Sequence, residues 1–337
     1  MTLEKFSGSP TIKVNPTVLV YGWYHQGNLG DDLFVEAFKR IFPSFNFVFT
    51  DKIKNHHLQD VDVVFFGGGS FLGEPLKTSR ALDFELLKQK SIMYIGVGAE
   101  TDIHPDHQRL LPLAKLIALR SYAGYDNLKR LNDNIMVITD LVYSLHSPLA
   151  ISKIPNSILF IPNIAVVPKW NDPHWQHAAW DYFKIEMAQL LDSFIDNDYT
   201  VKFLPYCING KLNDCYAAAE IINRMKGIEK NSILDKPANL QSAIDLMSKH
   251  RIIITQRYHG MILADMARTP CLTIAHHDKL KDSSRSHLSY YGCSKNLLMK
   301  EINDLLTGKV SSVLPIDRNI FTELRQRVEH ALCRSEK

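Results

Sequence analysis

From Thr17 onward, short apolar runs alternate with longer amphipathic stretches, and this alternation does most to narrow the fold. The apolar runs are too short for helices and suit strands buried on both faces. A helix between successive strands supplies the crossover that parallel neighbours need. Strands are expected over 17–21, 46–50, 61–66, 91–95, 116–119 and 135–138, with helices over 31–42, 81–89, 106–114 and 122–131. Within 31–42, Leu33, Phe34, Ala37, Phe38, Ile41 and Phe42 share one face, Asp31 or Asp32 can cap the first turn, and Pro43 stops the helix. Residues 144–155 show no period and read as a linker. The alternation then restarts, with strands over 158–161, 201–204, 251–255 and 271–274, helices over 174–195, 212–225, 239–247 and 261–267, and a last helix over 317–333. The expectation is two doubly wound α/β domains, 1–147 and 148–312, and a C-terminal helical segment, 313–337. Ligands of such sheets bind beyond the C-terminal strand ends, and a cleft between two of them is the default site.

Composition excludes several function classes. With 337 residues, 45% apolar and 22% charged, the chain can bury two cores and is not disordered. A net charge of +3 is too small for a dedicated nucleic-acid binder but leaves room for basic pockets that hold small anions. No apolar run reaches the ~18 residues of a membrane span, and residues 1–16 lack the apolar core of a signal peptide. The five cysteines, Cys207, Cys215, Cys271, Cys293 and Cys333, form no paired framework. Free thiols in a reducing, cytoplasmic setting are expected.

Glycines punctuate the strand ends of the first half. Gly22, Gly27 and Gly30 precede a helix, but Asn28 and Leu29 stand where a Walker A loop needs Lys and Ser or Thr, and the spacing is not that of a dinucleotide fold. The stretch can still bring backbone and helix N–H groups to a polar ligand, or it is simply a tight turn capped by aspartate. Gly67, Gly68, Gly69 and Ser70 read as a side-chain-poor loop after a strand, and Gly96 and Gly98 follow another. Three such loops would share one rim of the first sheet. Ser70 is no nucleophile elbow, since Leu72 replaces the second glycine. Asp60 and Asp62 resemble a metal-binding pair but precede their strand, at the wrong end of a sheet. The pairs His56/His57, His104/His107 and His276/His277 lack a third ligand at a familiar spacing and read as surface or loop histidines.

The stretch from Arg251 to Met261 is the most informative. A buried strand ends at Thr255, Arg257 and His259 follow two residues apart, and a helix is expected from about Gly260. In extended backbone the two side chains would face one ligand. A guanidinium can grip a phosphate or carboxylate bidentately, and an imidazole can act as general acid or base. A histidine that only caps the turn is the plainer alternative. Lys279, after the next strand, can add positive charge on the same rim, while Asp278 caps the following helix.

Taken in order, the 27–32 loop, Gly67–Ser70, the stretch from Arg120 to Tyr125, the Arg257-Tyr258-His259 element and the Asp278-Lys279 loop resemble the polysaccharide pyruvyl transferase family, over about residues 18 to 292. The resemblance implies two Rossmann-like domains in a GT-B-like fold, the last helix returning to the first domain. It implies transfer of pyruvate from phosphoenolpyruvate to two hydroxyls of one sugar, leaving a cyclic ketal and free phosphate. By the same resemblance Arg257 and His259 engage phosphoenolpyruvate in the second domain, and Arg120 is a further donor-binding arginine. Gly27, Asn28, Gly30, Asp31, Gly68, Gly69 and Ser70 would face a sugar or oligosaccharide acceptor, lipid-linked acceptors included. His259 would be the general acid, protonating the donor or its departing phosphate, and then the base for a sugar hydroxyl, with Arg120, Arg257 and Lys279 supplying the cations. No step obliges a metal or nucleotide cofactor. The chain departs from the family in one place, His277, where an aromatic residue often precedes the aspartate of that loop.

Two other readings fit the same fold. A GT-B glycosyltransferase using a nucleotide sugar would need a ribose-binding carboxylate in the second half, for which Glu220 and Asp245 are candidates. A non-catalytic carbohydrate-binding protein would bind sugar without releasing phosphate. Trp23, Tyr24, Trp170, Trp175 and Trp180 can stack on sugar rings, though the tryptophans in and beside 174–195 read first as core.

Overall fold

A computed structural model describes residues 15–78, 83–99, 102–145, 153–210, 212–227, 231–283, 286–309 and 317–333. Residues 1–14, most of the expected linker, the domain cuts at 147/148 and 312/313 and the start of the 81–89 helix lie outside them. The chain forms two compact units. The first takes the described residues up to Trp23, those from Val35 to Ser144, and the last helix; the second takes Tyr24–Phe34 and the described residues from Leu145 up to that helix.

The first unit follows β1 Thr17–Tyr21, α1 Leu29–Ile41, β2 Asn46–Thr50, α2 Asn55–Gln59, β3 Val63–Gly69, α3 Phe84–Lys88, β4 Ser91–Val97, α4 Pro105–Leu110, β5 Leu116–Leu119, α5 Tyr125–Lys129 and β6 Ile135–Val137. Its six strands are all parallel, in the order β2-β1-β3-β4-β5-β6. The second unit follows β7 Ser157–Ile161, α6 His174–Ile195, β8 Thr200–Phe203, β9 Ile208–Asn209, β10 Leu212–Asn213, α7 Asp214–Ile222, β11 Asn231–Ile233, α8 Leu240–Lys249, β12 Ile252–Thr255, α9 Tyr258–Met266, β13 Cys271–Ala275, α10 Asp278–Ser283, β14 His287–Ser289 and α11 Lys295–Leu306. Its parallel sheet runs β11-β8-β7-β12-β13-β14. Strand order reverses between β1 and β3 in one sheet and between β7 and β12 in the other, and such reversals open a crevice at the strands' C-terminal ends. The last helix, α12 Asn319–Cys333, returns to the first unit and contacts β5, with Phe321, Leu324 and Val328 buried. Among the described residues no helix is long and apolar enough to cross a membrane.

The central strands are apolar runs because helices cover both faces: β12 is buried at every residue, as are β5, β7 and β13. The second core joins Phe160, Phe203 and Ile254 to Trp180, Phe183, Met187 and Leu191 of α6. Trp180 is core as expected, but Trp170 is 98% exposed and Trp175 56% exposed, which corrects the core reading of those two. β3 also differs from expectation. It runs on through Gly67 and Gly69, which pair with Ile95 and Val97 of β4, so the first glycines are strand and not loop. A Cβ on Gly67 would lie 2.4 Å from Cζ of Phe38. That ring belongs to a cluster with Phe42, Phe47, Phe49 and Phe65, so the missing side chain makes room for an aromatic core. His107 is not a surface histidine. It is 1% exposed, beside Phe66 and Phe71, with Nδ1 3.2 Å from the Tyr94 hydroxyl, and burial pushes it down to about 4. Its neighbour His104 caps α4 through Nδ1.

Two measurements follow from this packing. Gly67→Ala should cost about 1–3 kcal/mol in denaturant titration by overpacking against Phe38. His107 stays neutral in the fold down to about pH 4, whereas the unfolded chain binds that proton near pH 6.5. Its contribution is therefore present above pH 6.5 and is lost as the pH falls toward 4. Stability should drop by about 3 kcal/mol across that window, and His107→Phe should flatten that part of the profile.

Candidate active site

The second unit builds a site where its strand order reverses. β12 leaves the sheet at Thr255, Gln256 is wholly buried, and Arg257 caps α9 in extended conformation (φ −107°, ψ 133°). The helix starts at Tyr258, so His259 stands in its first turn and not on extended backbone as the spacing suggested. Across the reversal, Asn163 follows β7. Its N–H donates to Gln256 Oε1 at 3.0 Å, and its amide nitrogen donates to His276 Nε2 at 3.2 Å, beyond the end of β13. Burial, then the charges of His277, Lys279 and Arg257, push His276 down to about 3. It is a neutral imidazole accepting at Nε2, in the loop between β13 and α10 as expected, but half-buried there.

The segment Tyr24–Phe34 lies over this edge. Leu29 N–H donates to the Tyr206 carbonyl at 2.9 Å, Asn28 bridges to Cys207, and Asn209 donates to Gln26 Oε1 at 3.3 Å. The Asp32 carboxylate is 3.5 Å from the Lys236 ammonium. The glycine loop expected on the first domain's rim is therefore held by the second unit, through backbone groups just past β8 that the loop's own sequence cannot reveal. A Cβ on Gly30 would sit 2.1 Å from His259 Nδ1 and 2.4 Å from Cγ. Only glycine lets the imidazole, 9% exposed, lie against the start of α1, where Phe34 meets it edge-on at 5.1 Å. Asp31 accepts from the Asn28 amide. Burial raises its carboxyl above the usual carboxylate range, while the charges of His259, Lys279 and Arg257 pull it down.

Arg257 is not free to grip an anion with every donor. Its Nε donates to Asp214 Oδ2 at 3.1 Å and its Nη2 to Asp214 Oδ1. Asp214 is 0% exposed and the arginine side chain 16% exposed. The guanidinium's other edge, Nη1 with the second Nη2 hydrogen, is the one left for a ligand. The structure thus brings together Gly27, Asn28, Gly30, Asp31, Arg257, His259 and Lys279, and adds Asp214, Asn163, Gln256 and His276. Sequence reasoning missed Asp214 because 212–225 read as one helix. In fact β9 and β10 form a two-residue hairpin and α7 begins at Asp214.

The other expected site residues form their own cluster in the first unit. Gly68 and Gly69 adopt φ of +67° and +126° at the end of β3. Ser70 accepts from Arg120 Nη2, and Arg120 Nη1 is 3.7 Å from the Asp140 carboxylate, both side chains almost fully buried. Arg120, the further donor-binding arginine expected, is thus part of a buried ion pair after β5 and β6. Glu220 does not reach a strand end: on α7 it accepts from Trp180 Nε1 and Lys184, each at 2.8 Å. Asp245 lies on α8 and accepts from Gln241 at 2.6 Å. Asp62, before β3, donates its N–H to the Thr17 carbonyl, at the end of the first sheet away from Ser70 and Arg120. Among the described residues no three His, Cys, Asp or Glu side chains are grouped to hold a metal.

The contact between Gly30 and His259 gives a direct check. Gly30→Ala should displace the imidazole, shifting the His259 ring resonances in NMR spectra and lowering stability by about 1–3 kcal/mol.

Comparison with known proteins agrees with this architecture. A sequence search of curated proteins finds no match. In fold the chain is similar to S. aureus MnaA in a co-structure with UDP (TM-score 0.64, 10% identity, 94% of this chain and 97% of that one). It is also similar to UDP-GlcNAc 2-epimerases from Neisseria meningitidis (TM-score 0.58, 11% identity, 93% and 99%) and Methanocaldococcus jannaschii (TM-score 0.57, 9% identity, 93% and 99%). At such identities the likeness is one of fold: two Rossmann-like domains of GT-B-like type. The family model "Polysaccharide pyruvyl transferase" matches residues 28–278, from the glycine loop to the residue before Lys279. The chain therefore belongs to the polysaccharide pyruvyl transferase family.

Proposed function

We propose that this enzyme transfers pyruvate from phosphoenolpyruvate to two hydroxyls of one sugar in a glycan or glycan precursor, forming a cyclic ketal and releasing phosphate. The observation that carries the reading is the meeting of Arg257, His259, Lys279 and Asp31 at the strand-order reversal of the second unit. Family membership adds to it. The donor carries a phosphate and a carboxylate. The outer edge of the Arg257 guanidinium suits one of them bidentately, and the Lys279 ammonium suits the other as a point charge.

In the proposed reaction His259 gives a proton to the methylene carbon of the enol, making C2 electrophilic. A sugar hydroxyl adds to C2, and Asp31 takes its proton. A carboxyl whose pKa burial raises, against the pull of the charges of His259, Lys279 and Arg257, is suited to that transfer. The C2–O bond to phosphate then breaks, and the second hydroxyl closes the ketal. Of the two hydroxyl protons, one replaces the proton delivered to carbon and the other leaves with phosphate. The glycine loop that carries Asp31 would hold the acceptor, which includes lipid-linked sugars. Arg120 is proposed as a further donor-binding arginine, and Gly68, Gly69 and Ser70 as acceptor-binding residues of the first unit.

The fold shared with enzymes of UDP-sugars supports a second reading, a transferase that uses a nucleotide sugar. The two part in a thermal-shift experiment. Phosphoenolpyruvate should stabilise the protein where UDP- and GDP-sugars do not, and the reverse result would favour the second reading. A third outcome, sugar binding without phosphate release, would mark a non-catalytic binding protein.

Variants test the roles. His259→Ala should lower phosphate release by about 10²–10⁴-fold, and near-native turnover would remove it from the mechanism. Asp31→Asn should lower turnover while leaving stability unchanged or higher, because burial disfavours the charge that the substitution removes.

A further inference from the structure

We propose that Asp214 is the positioning residue that sets the Arg257 guanidinium for an anionic donor, acting through Arg257 and not on the substrate. The inference rests on the reading above for the identity of the donor, but its geometry stands alone. Asp214 is 0% exposed and opens α7, where helix N–H groups favour negative charge. Its Oδ1 accepts from Ile164 N–H at 2.9 Å and from Arg257 Nη2. Its Oδ2 accepts from Tyr206 N–H at 3.0 Å, Cys207 N–H at 2.9 Å and Arg257 Nε at 3.1 Å.

These donors come from the segments after β7, β8 and β12. One carboxylate thus ties three strand ends together and holds the arginine by its Nε–Nη2 edge. The five hydrogen bonds leave the carboxylate no capacity for a ligand. What it offers a ligand is orientation: the plane of the guanidinium is fixed, and the Nη1–Nη2 edge faces away from the ion pair. The same backbone segment that donates to Asp214, at Tyr206 and Cys207, also holds the glycine loop at Leu29 and Asn28. The carboxylate therefore aligns the arginine with the loop that carries Asp31.

The test combines Asp214→Asn with Arg257→Lys in the full-length protein. Asp214→Asn should raise the KM for phosphoenolpyruvate by about tenfold or more while the acceptor KM stays within about twofold. The double variant should be no worse than Arg257→Lys alone, as expected for residues acting as one unit. In NMR spectra the Arg257 Nε–H signal should be protected from exchange in the wild type and lose that protection in Asp214→Asn. Equal effects on both substrates, or additive losses in the double variant, overturn the proposal. Should Asp214→Asn not fold, Asp214→Glu takes its place. It keeps the charge and shifts the carboxylate by one methylene, and an unchanged donor KM in that variant also overturns it. If the wild type releases no phosphate from phosphoenolpyruvate, it is the functional reading that fails. Inorganic phosphate is then the probe, and Asp214→Asn must still weaken its binding for the positioning role to stand.

Discussion

A carboxylate without exposure to water must find its hydrogen bonds inside the protein, and the second unit is arranged around how Asp214 does so. Backbone groups beyond β7 and β8 converge on it because the strand order reverses next to β12, which brings the ends of all three strands to one place. Removing one partner would leave a buried charge uncompensated, which is far more costly than never having built the pair. The arrangement is therefore all or nothing. It explains how a loop edge can hold Arg257 as firmly as a strand would, without adding length to the sheet.

Around that anchor the site is assembled by close approach more than by charge. His259 is seated where Gly30 provides no side chain, and Phe34 meets the ring from the side. Asn163 and His276 back the end of β12 through Gln256. These contacts restrict the imidazole and guanidinium to one arrangement, as a preorganised site requires. The same logic acts in the first unit, where Ser70 and Asp140 hold Arg120 nearly out of reach of solvent.

How much of this was legible in the sequence depends on where each signal lies. Strands buried on both faces, such as 116–119 and the run ending at Thr255, announce themselves as apolar runs, and so the two parallel sheets were expected. β11 and β14 were not. They are three-residue edge strands, Asn-Ser-Ile and His-Leu-Ser, with no run to find. The place of Arg257 and His259, just past a strand end, was legible in the sequence. The partner of Arg257 was not, because Asp214 is remote along the chain and sits at the start of what reads as a helical face. Likewise the spacing of Gly27 and Gly30 marks a turn but says nothing of Tyr206, which holds it. The burial of His107 and His276 is decided by what packs against them, and a histidine pair carries no sign of that.

The doubly anionic donor proposed above calls for cations, yet the chain carries only +3 and its candidate cations come with carboxylates. Arg257 has Asp214, Arg120 has Asp140, and Lys279 acts on Asp31. Recognition in such a site rests on direction. At Arg257 the carboxylate takes the Nε–Nη2 edge of the guanidinium, so an anion would gain hydrogen bonds there only in the orientation the other edge allows. A balanced site also has an advantage after the reaction. An isolated cluster of cations would hold phosphate tightly, whereas cations already partnered lose less when the product departs. For the proposed anionic donor, a near-neutral chain would favour turnover over retention.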